Sequence, residues 1–159
     1  MEIRLAEPGD ASSACQVLRR SIVELCFADH RNDPVVLRQW LANKTPEIVA
    51  SWIARSDSTM LLAVDGGGVL GVAAVTDAGE ITLNYVCPDA RFRGVSRALV
   101  GALEERAMRR GNGRCHLTST ETAHAFYLKS GYCDDGPADH KFGASGGYPM
   151  SKMLVAPGI

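Results

Sequence analysis

The segment that decides the fold reads Val86-Cys87-Pro88-Asp89-Ala90-Arg91-Phe92-Arg93-Gly94-Val95-Ser96. It joins the end of a predicted strand, residues 80–86, directly to the start of a predicted helix, residues 95–110. Such a junction presents backbone N–H groups without partners, and these donors favour a bound phosphate together with the positive end of the helix dipole. Gly94 lacks the side chain that would keep an anion away from the backbone, and two arginines add positive charge. The segment therefore predicts an anion-binding loop.

Two widespread nucleotide-binding loops do not fit this segment. A P-loop requires the pattern G-x-x-x-x-G-K-[ST], and a dinucleotide-binding fingerprint requires G-x-G-x-x-G after a parallel strand. Neither pattern is present between the strand and the helix. The segment therefore does not favour a nucleotide-dependent oxidoreductase.

Upstream of the segment, the hydrophobic pattern predicts a strand, several helices and three consecutive strands. Ile3 and Leu5 alternate with polar residues, as in a half-buried strand. Asp10 is suited to cap a helix that runs to about Val23. The pattern then predicts a polar turn at residues 27–33, helices at residues 35–41 and 46–55, and an antiparallel meander at residues 59–87.

Downstream, the pattern alternates between strand and helix and ends with strands. It predicts strands at residues 114–119, 132–133 and 148–155 and a helix at residues 121–130. Residues 134–147 form a stretch too long for a simple hairpin turn, which predicts a functional or mobile loop. The order indicates a mixed α and β class, and the length of 159 residues suits one domain, residues 1–159, with one core.

Composition narrows the classes of partner. The chain has 17 Lys+Arg against 18 Asp+Glu, so it lacks the bulk positive charge on which nonspecific nucleic-acid binders depend. No apolar run approaches the roughly 20 residues that span a bilayer, and no signal segment opens the chain. The 5 cysteines are odd in number and lack a C-x-x-C pair, which indicates reduced thiols and no metal site. We expect a cytoplasmic protein without nucleic-acid or membrane partners.

Two motifs in order carry a family resemblance. The first is Arg91-x-x-Gly94-x-Ser96, and the second is the run Ala123-His124-Ala125-Phe126-Tyr127-Leu128-Lys129-Ser130-Gly131-Tyr132. They resemble the [RQ]-x-x-G-x-[GA] loop and the A-x-x-F-Y-x-x-x-G-[FY] segment of the GNAT superfamily of acyl-CoA-dependent N-acyltransferases. Ser96 departs from the first pattern, which has Gly or Ala there. The resemblance spans residues 59–132 at the level of motifs and extends to the rest of the chain by element order.

The resemblance implies a fold, a cosubstrate and a reaction. The fold is a strongly twisted, mainly antiparallel sheet of six to seven strands with helices on both faces, splayed between strands four and five. Acetyl-CoA would enter the splay, and its acetyl group would pass to a primary amine by direct attack in a ternary complex. The residues implied to bind acetyl-CoA are Tyr85, Val86, Arg91, Phe92, Arg93, Gly94, Val95, Ser96 and Arg97.

Acyl transfer from a thioester to an amine needs an unprotonated amine, a donor for the oxyanion and a proton for the leaving thiolate. By resemblance Glu80 is assigned as general base, which requires burial to raise its pKa from about 4.3. Asn84 is the alternative, holding a relay water. A backbone N–H near Val86 would stabilise the oxyanion, and Tyr127 would be the acid. Cys87 leaves acyl-cysteine chemistry as a minor alternative.

The sequence leaves the acceptor open. Two loops near the expected acceptor site are rich in acidic residues, which are consistent with a cationic acceptor or with ordinary solvated loop carboxylates: Asp29, His30 and Asp33 in one, and Asp134, Asp135, Asp139 and His140 in the other. Polyamines, aminoglycosides, amino acids, peptide N-termini and protein lysines all stay open, as does a homodimer. The rival from another class is a noncatalytic acyl-CoA-binding regulatory module.

Overall fold

The computed structural model describes residues 1–139 and 147–155. Its strands are β1 Glu2–Leu5, β2 Ser58–Asp65, β3 Gly68–Thr76, β4 Ile81–Val86, β5 Arg114–Ser119, β6 Cys133–Asp134 and β7 Tyr148–Met153. Its helices are α1 Ala11–Leu25, α2 Phe27–His30, α3 Pro34–Leu41, α4 Pro46–Ile53, α5 Val95–Arg109 and α6 Glu121–Lys129.

The strands form two antiparallel sheets that meet at one point. The first sheet has the order β1-β2-β3-β4, and the second has the order β5-β7-β6. A single parallel bridge joins Glu80 to His116, and the His116 N–H donates to the Gly79 carbonyl at 3.0 Å. Beyond this bridge, no ladder joins β4 to β5 within the described residues. The two strands therefore diverge, which confirms the predicted splay between strands four and five.

Helices cover both faces of the first sheet. Helix α5 packs on one face, where Leu99 and Leu103 are fully buried, and α1 and α4 pack on the other, where Leu18 and Val49 are fully buried. Each such side chain contributes about 1.5–3 kcal/mol through burial. On the α5 face, a Cβ at Gly71 would lie 2.8 Å from the Leu99 side chain, so glycine allows β3 to approach the helix closely. The start of α5 is thereby fixed against the sheet.

A glycine spacing of the form G-x-G-x-x-G does occur elsewhere, at Gly66, Gly68 and Gly71. It lies in and after the hairpin turn between β2 and β3, which are antiparallel. A dinucleotide fingerprint needs a strand followed by a helix whose N-terminus faces the pyrophosphate. This run leads into another strand, so it offers no such terminus.

The predicted polar turn at residues 27–33 is wrong in its first half, where the structure has helix α2. Its last residue, His30, contacts residues before and after the helix in sequence, and these contacts stabilise it. The His30 ring nitrogen Nε2 lies 2.9 Å from the Ile22 carbonyl oxygen, and the Asn32 N–H donates to Nδ1 at 2.9 Å. The predicted loop at residues 134–147 lies partly outside the described residues, which omit 140–146.

None of the described helices has the length and apolar character needed to cross a membrane. All 5 cysteines are free thiols. Within residues 1–139 and 147–155, no cluster of three or more His, Cys, Asp or Glu side chains is arranged to hold a metal ion.

Candidate functional site

A cavity of about 350 Å³ opens where β4 and β5 diverge. Its walls come from β4, the loop that follows, the first turn of α5, the end of β5 and helix α6, with Ser21 and Leu25 of α1 and the adjoining Cys26 at one side. Burial raises the pKa of the Cys26 thiol to about 12, which keeps it protonated and unreactive. The sequence motifs did not indicate that the end of α1 contributes to this cavity.

The loop before α5 supplies free backbone donors to the cavity. Gly94 precedes the helix with φ 77°, in the left-handed region that favours glycine. The first α5 amide bonded to the helix is that of Ala98, which donates to the Gly94 carbonyl at 3.0 Å. No described group accepts from the N–H groups of Val95, Ser96 or Arg97. A Cβ at Gly94 would meet nothing within 4 Å, so the space before these donors is open.

Every residue implied to bind acetyl-CoA lines the cavity except Arg93. The Arg93 guanidinium instead pairs with Asp65 at 3.3 Å on the surface. Phe92 adopts φ 61° and is 92% exposed, with the Arg91 guanidinium 4.6 Å from its ring centroid. Burial raises the pKa of Tyr85 above its ordinary value, and its side chain packs with the cluster formed by Ile22, Cys26 and Trp40.

The backbone of β4 also presents free donors to the cavity. The Cys87 N–H donates to the Leu70 carbonyl at 2.7 Å, which fixes the alternation of the β3–β4 ladder. Hydrogen-bonded and non-hydrogen-bonded pairs alternate in an antiparallel ladder, so Tyr85 bonds to β3 while Asn84 and Val86 direct their N–H groups away from it. On that side β5 has already separated. The amides of Asn84 and Val86 therefore face the splay.

The Tyr127 side chain is 5% exposed, and this residue of α6 lines the cavity. Its hydroxyl accepts a hydrogen bond from Asn84 Nδ2 at 3.1 Å, so the hydroxyl proton is free to be donated elsewhere. Burial raises the pKa of Tyr127 to about 12, although the hydrogen bond from Asn84 acts in the opposite direction. The hydroxyl is therefore protonated across the neutral range. Asn84 Oδ1 is buried and has no partner among the described residues.

Glu80 and Cys87 do not line the cavity. The Glu80 residue is exposed, and its backbone forms the bridge to β5. The burial on which a general-base assignment depends is therefore missing, and that assignment stays a prediction. Cys87 Sγ instead lies 3.6 Å from an Arg20 guanidinium nitrogen.

Among the described residues, the acidic side chains of the two loops expected near the acceptor do not line the cavity. Asp29 is 3% exposed, and its carboxylate accepts hydrogen bonds from the N–H groups of Glu121 and Thr122. It thus caps α6 from a distant segment, a role with no signal in the local sequence. Asp33 caps α3, and Asp134 lies 2.8 Å from the His124 ring. His140 lies outside the described residues.

Residues 28–154 match the description "Acetyltransferase (GNAT) domain". Because this match covers most of the chain, the protein belongs to the GNAT acetyltransferase family. It is therefore an acyltransferase, and the resemblance drawn from the two sequence motifs is confirmed. A comparison with curated protein sequences gives no match.

Solved structures share the fold over nearly their full length. A GCN5-related N-acetyltransferase from Rhodopseudomonas palustris has a TM-score of 0.84 and 26% identity, covering 96% of this chain and 95% of its own. The PaiA N-acetyltransferase from Thermoplasma acidophilum, in complex with coenzyme A, has a TM-score of 0.78 and 20% identity over 96% and 98%. An aminoglycoside 6'-N-acetyltransferase complexed with coenzyme A has a TM-score of 0.74 and 17% identity over 98% of both chains. For the last two, the likeness is one of fold.

Proposed function

We propose that this protein transfers the acetyl group of acetyl-CoA to a primary amine by direct attack in a ternary complex. The observation that carries the proposal is the position of the Tyr127 hydroxyl. It is buried with its proton free, in the same cavity as the unpaired amides of the α5 first turn. The hydroxyl is suited to protonate a leaving sulfur, and the amides are suited to bind a diphosphate.

The cavity residues fit acetyl-CoA as a cosubstrate. The amides of Val95, Ser96 and Arg97 and the positive end of the α5 dipole would hold the pyrophosphate. Gly94 leaves open space in front of them, and the exposed Arg91 is close enough to add charge. The pantetheine would extend along the free edge of β4, which supplies a strand-like row of donors and acceptors.

The chemistry needs a donor for the oxyanion and a proton for sulfur. As the amine nitrogen attacks the thioester carbon, one of the two free N–H groups, that of Asn84 or that of Val86, would stabilise the charge that develops on the carbonyl oxygen, because the two lie about 7 Å apart along β4. When the C–S bond breaks, the Tyr127 hydroxyl would give its proton to the thiolate, whose pKa is about 8.5. The nucleophile is the amine itself, so no acyl-cysteine is needed.

The amine must also lose a proton. Asn84 Oδ1 is buried at the cavity with no described partner, so it is suited to hold a water that relays this proton. This arrangement supports the relay water over Glu80, which is exposed. A lysine-type amine with a pKa near 10.4 would then be deprotonated after binding, as it enters the desolvated cavity.

Release of free thiol from acetyl-CoA, measured with a panel of amines, tests the proposed function. We expect thiol release to depend on an added amine and an N-acetylated product to appear in equal amount. Binding of coenzyme A by calorimetry, without thiol release on any amine, would instead favour a noncatalytic acyl-CoA-binding module.

Replacing Gly94 with Ala is expected to weaken coenzyme A binding about 10-fold. A non-glycine residue in the left-handed region costs about 1–2 kcal/mol, so the free loop would relax and binding would have to restore the strained conformation. A factor of 10 in the dissociation constant corresponds to about 1.4 kcal/mol. Isothermal titration calorimetry measures the change. Gly101→Ala, in the middle of α5, is the matched control and should keep wild-type affinity, because helix interiors favour alanine. Equal affinities in both variants would contradict the loop's role.

Replacing Glu80 with Gln is expected to leave the pH dependence of kcat/KM unchanged. The Glu80 side chain lies outside the cavity and in water, so loss of its charge should not alter deprotonation of the amine. The measurement is a pH profile of thiol release with one amine. An acid limb displaced to higher pH in the variant would return the base to Glu80.

A further inference from the structure

A second cavity of about 220 Å³ lies on the face of the first sheet that α4 covers. Its walls come from α4, β2, β3 and the start of β4, together with the segment before α4. Thr82 and Leu83 line both this cavity and the first, so the two share one wall of β4. Nothing in the reaction proposed above uses the second cavity.

Lys44 gives this cavity its chemical character. The residue is 8% exposed, and its Nζ donates to Asn43 Oδ1 at 2.8 Å and lies 5.9 Å from the Trp52 ring centroid. In the described part of the chain, no carboxylate forms an ion pair with it. An ammonium has three N–H donors, and among the described residues Asn43 accepts a hydrogen bond from one of them. Burial lowers the pKa of Lys44, as expected of a buried charge that lacks a counter-charge.

The backbone of Lys44 is held in place by α1. Its carbonyl oxygen accepts hydrogen bonds from the Arg19 guanidinium at 2.8 Å and from Cys15 Sγ at 3.2 Å, and its N–H donates to the Leu41 carbonyl at 3.0 Å. With Nζ also bonded to Asn43, the ammonium is held at the cavity before a ligand binds. A fixed, desolvated cation binds an anion at a smaller entropic cost than a mobile surface lysine does.

The other cavity walls favour a small carboxylate. Arg55 also lines the cavity, but Asp57 neutralises its guanidinium in an ion pair of 2.8 Å, so the anion-binding charge comes from Lys44. Thr76 and Thr82 also line the cavity, and their hydroxyl groups are suited to donate to carboxylate oxygens, whereas the Ser58 hydroxyl donates to the Val75 carbonyl. The volume of about 220 Å³ suits a short chain rather than a nucleotide.

We propose that this second cavity binds the carboxylate end of the acceptor, so that the acceptor is a small molecule carrying both an amine and a carboxylate. This rests on the proposed function. A strand rises about 3.3 Å per residue, so Thr82 at the shared wall lies about 7 Å along β4 from Asn84, the nearer of the two residues with a free amide. The two groups of the acceptor must therefore be several bonds apart, as in an ω-amino acid or a dipeptide. An α-amino acid, whose amine and carboxylate share one carbon, does not reach both.

The test compares 6-aminohexanoate with 6-aminohexanamide, which differ only in the charge at the far end. We expect wild-type kcat/KM for thiol release to be at least 10-fold higher with the carboxylate. Lys44→Met should reduce this ratio below about 2-fold, and the fold should tolerate the change because it removes a buried charge. Lys129→Met, which removes an exposed lysine on α6, is the matched control and should keep the wild-type ratio.

A ratio near one in the wild type, or a high ratio that Lys44→Met leaves intact, overturns the carboxylate site while acetyl transfer stands. If no amine releases thiol, the proposed function fails, and hexanoate binding then decides the carboxylate site separately. Hexanoate has no amine, and we expect it to raise the melting temperature of the wild type and of Lys129→Met but not that of Lys44→Met. The same shift in all three proteins overturns the site.

Discussion

Replacing Tyr127 with Phe is expected to lower kcat for thiol release about 100-fold or more while leaving the affinity for coenzyme A within about 2-fold. The change removes one oxygen atom from a buried side chain and keeps the ring, which packs against Phe126 and Tyr132 with centroids 5.2 Å and 5.5 Å away. A positioned acid contributes about 10²–10⁴ to a rate. The described partner of the hydroxyl is Asn84 of β4 and not a loop amide that would hold the diphosphate, so binding should be spared. Stopped-flow thiol release and calorimetry separate the two effects.

Tyr132→Phe is the matched control for this experiment. Tyr132 is equally buried, but its hydroxyl donates to Glu104 at 2.7 Å and does not line the cavity. We expect kcat to stay within about 3-fold of wild type in this variant, even where some stability is lost. The wild-type rate should also show no decline from ionisation of Tyr127 at pH 10, because burial raises the pKa of its hydroxyl to about 12. Equal kcat in Tyr127→Phe and wild type would remove the acid from the mechanism.

The loop and the tyrosine could be predicted from the sequence because local chemistry determines both. Gly94 is required by a left-handed backbone just before a helix, and the residues around it follow one another in the chain. Tyr127 belongs to a contiguous motif on α6. In both cases the functional geometry is built within one strand–loop–helix unit or one helix, so neighbouring residues are enough to indicate it.

The burial of Asp29 and Lys44 could not be predicted, because the segments that pack around them are distant in the chain. A polar stretch such as residues 27–33 looks like a solvated turn, since acidic residues are usually exposed. Burial of Asp29 becomes favourable only when α6 brings its N–H groups close to the carboxylate. The assignment of Glu80 as general base stays a prediction. That assignment came from the family resemblance and requires burial, whereas the structure leaves Glu80 exposed at the bridge where the two sheets meet.

Replacing Asp29 with Ala is expected to destabilise the protein by about 3 kcal/mol and to reduce kcat through the position of α6. Asp29 accepts from the Glu121 N–H at 2.7 Å and from the Thr122 N–H at 3.2 Å, and the Thr122 hydroxyl also donates to it. Hydrogen bonds to charged groups contribute about 1.5–3 kcal/mol each, and water can replace part of this at a helix end. The carboxylate also faces the positive end of the α6 dipole. Urea denaturation measures the loss, and for this chain length the melting temperature should fall by roughly 6–12 °C.

Asp33→Ala is the matched control, because it removes a carboxylate that caps another helix. Asp33 accepts from the Val35 and Val36 N–H groups at 2.9 Å and 3.2 Å, but the residue is exposed and its helix does not carry Tyr127. Loss of such a cap costs about 1 kcal/mol, and kcat should stay at the wild-type value.

In Asp29→Ala, by contrast, kcat should fall at temperatures where the protein is still folded, since the α6 N-terminus sets where the Tyr127 hydroxyl meets Asn84. Equal losses of stability in the two variants would mean that the buried cap adds nothing beyond a surface cap. An unchanged kcat in folded Asp29→Ala would show that the rest of the core holds α6 in place without it.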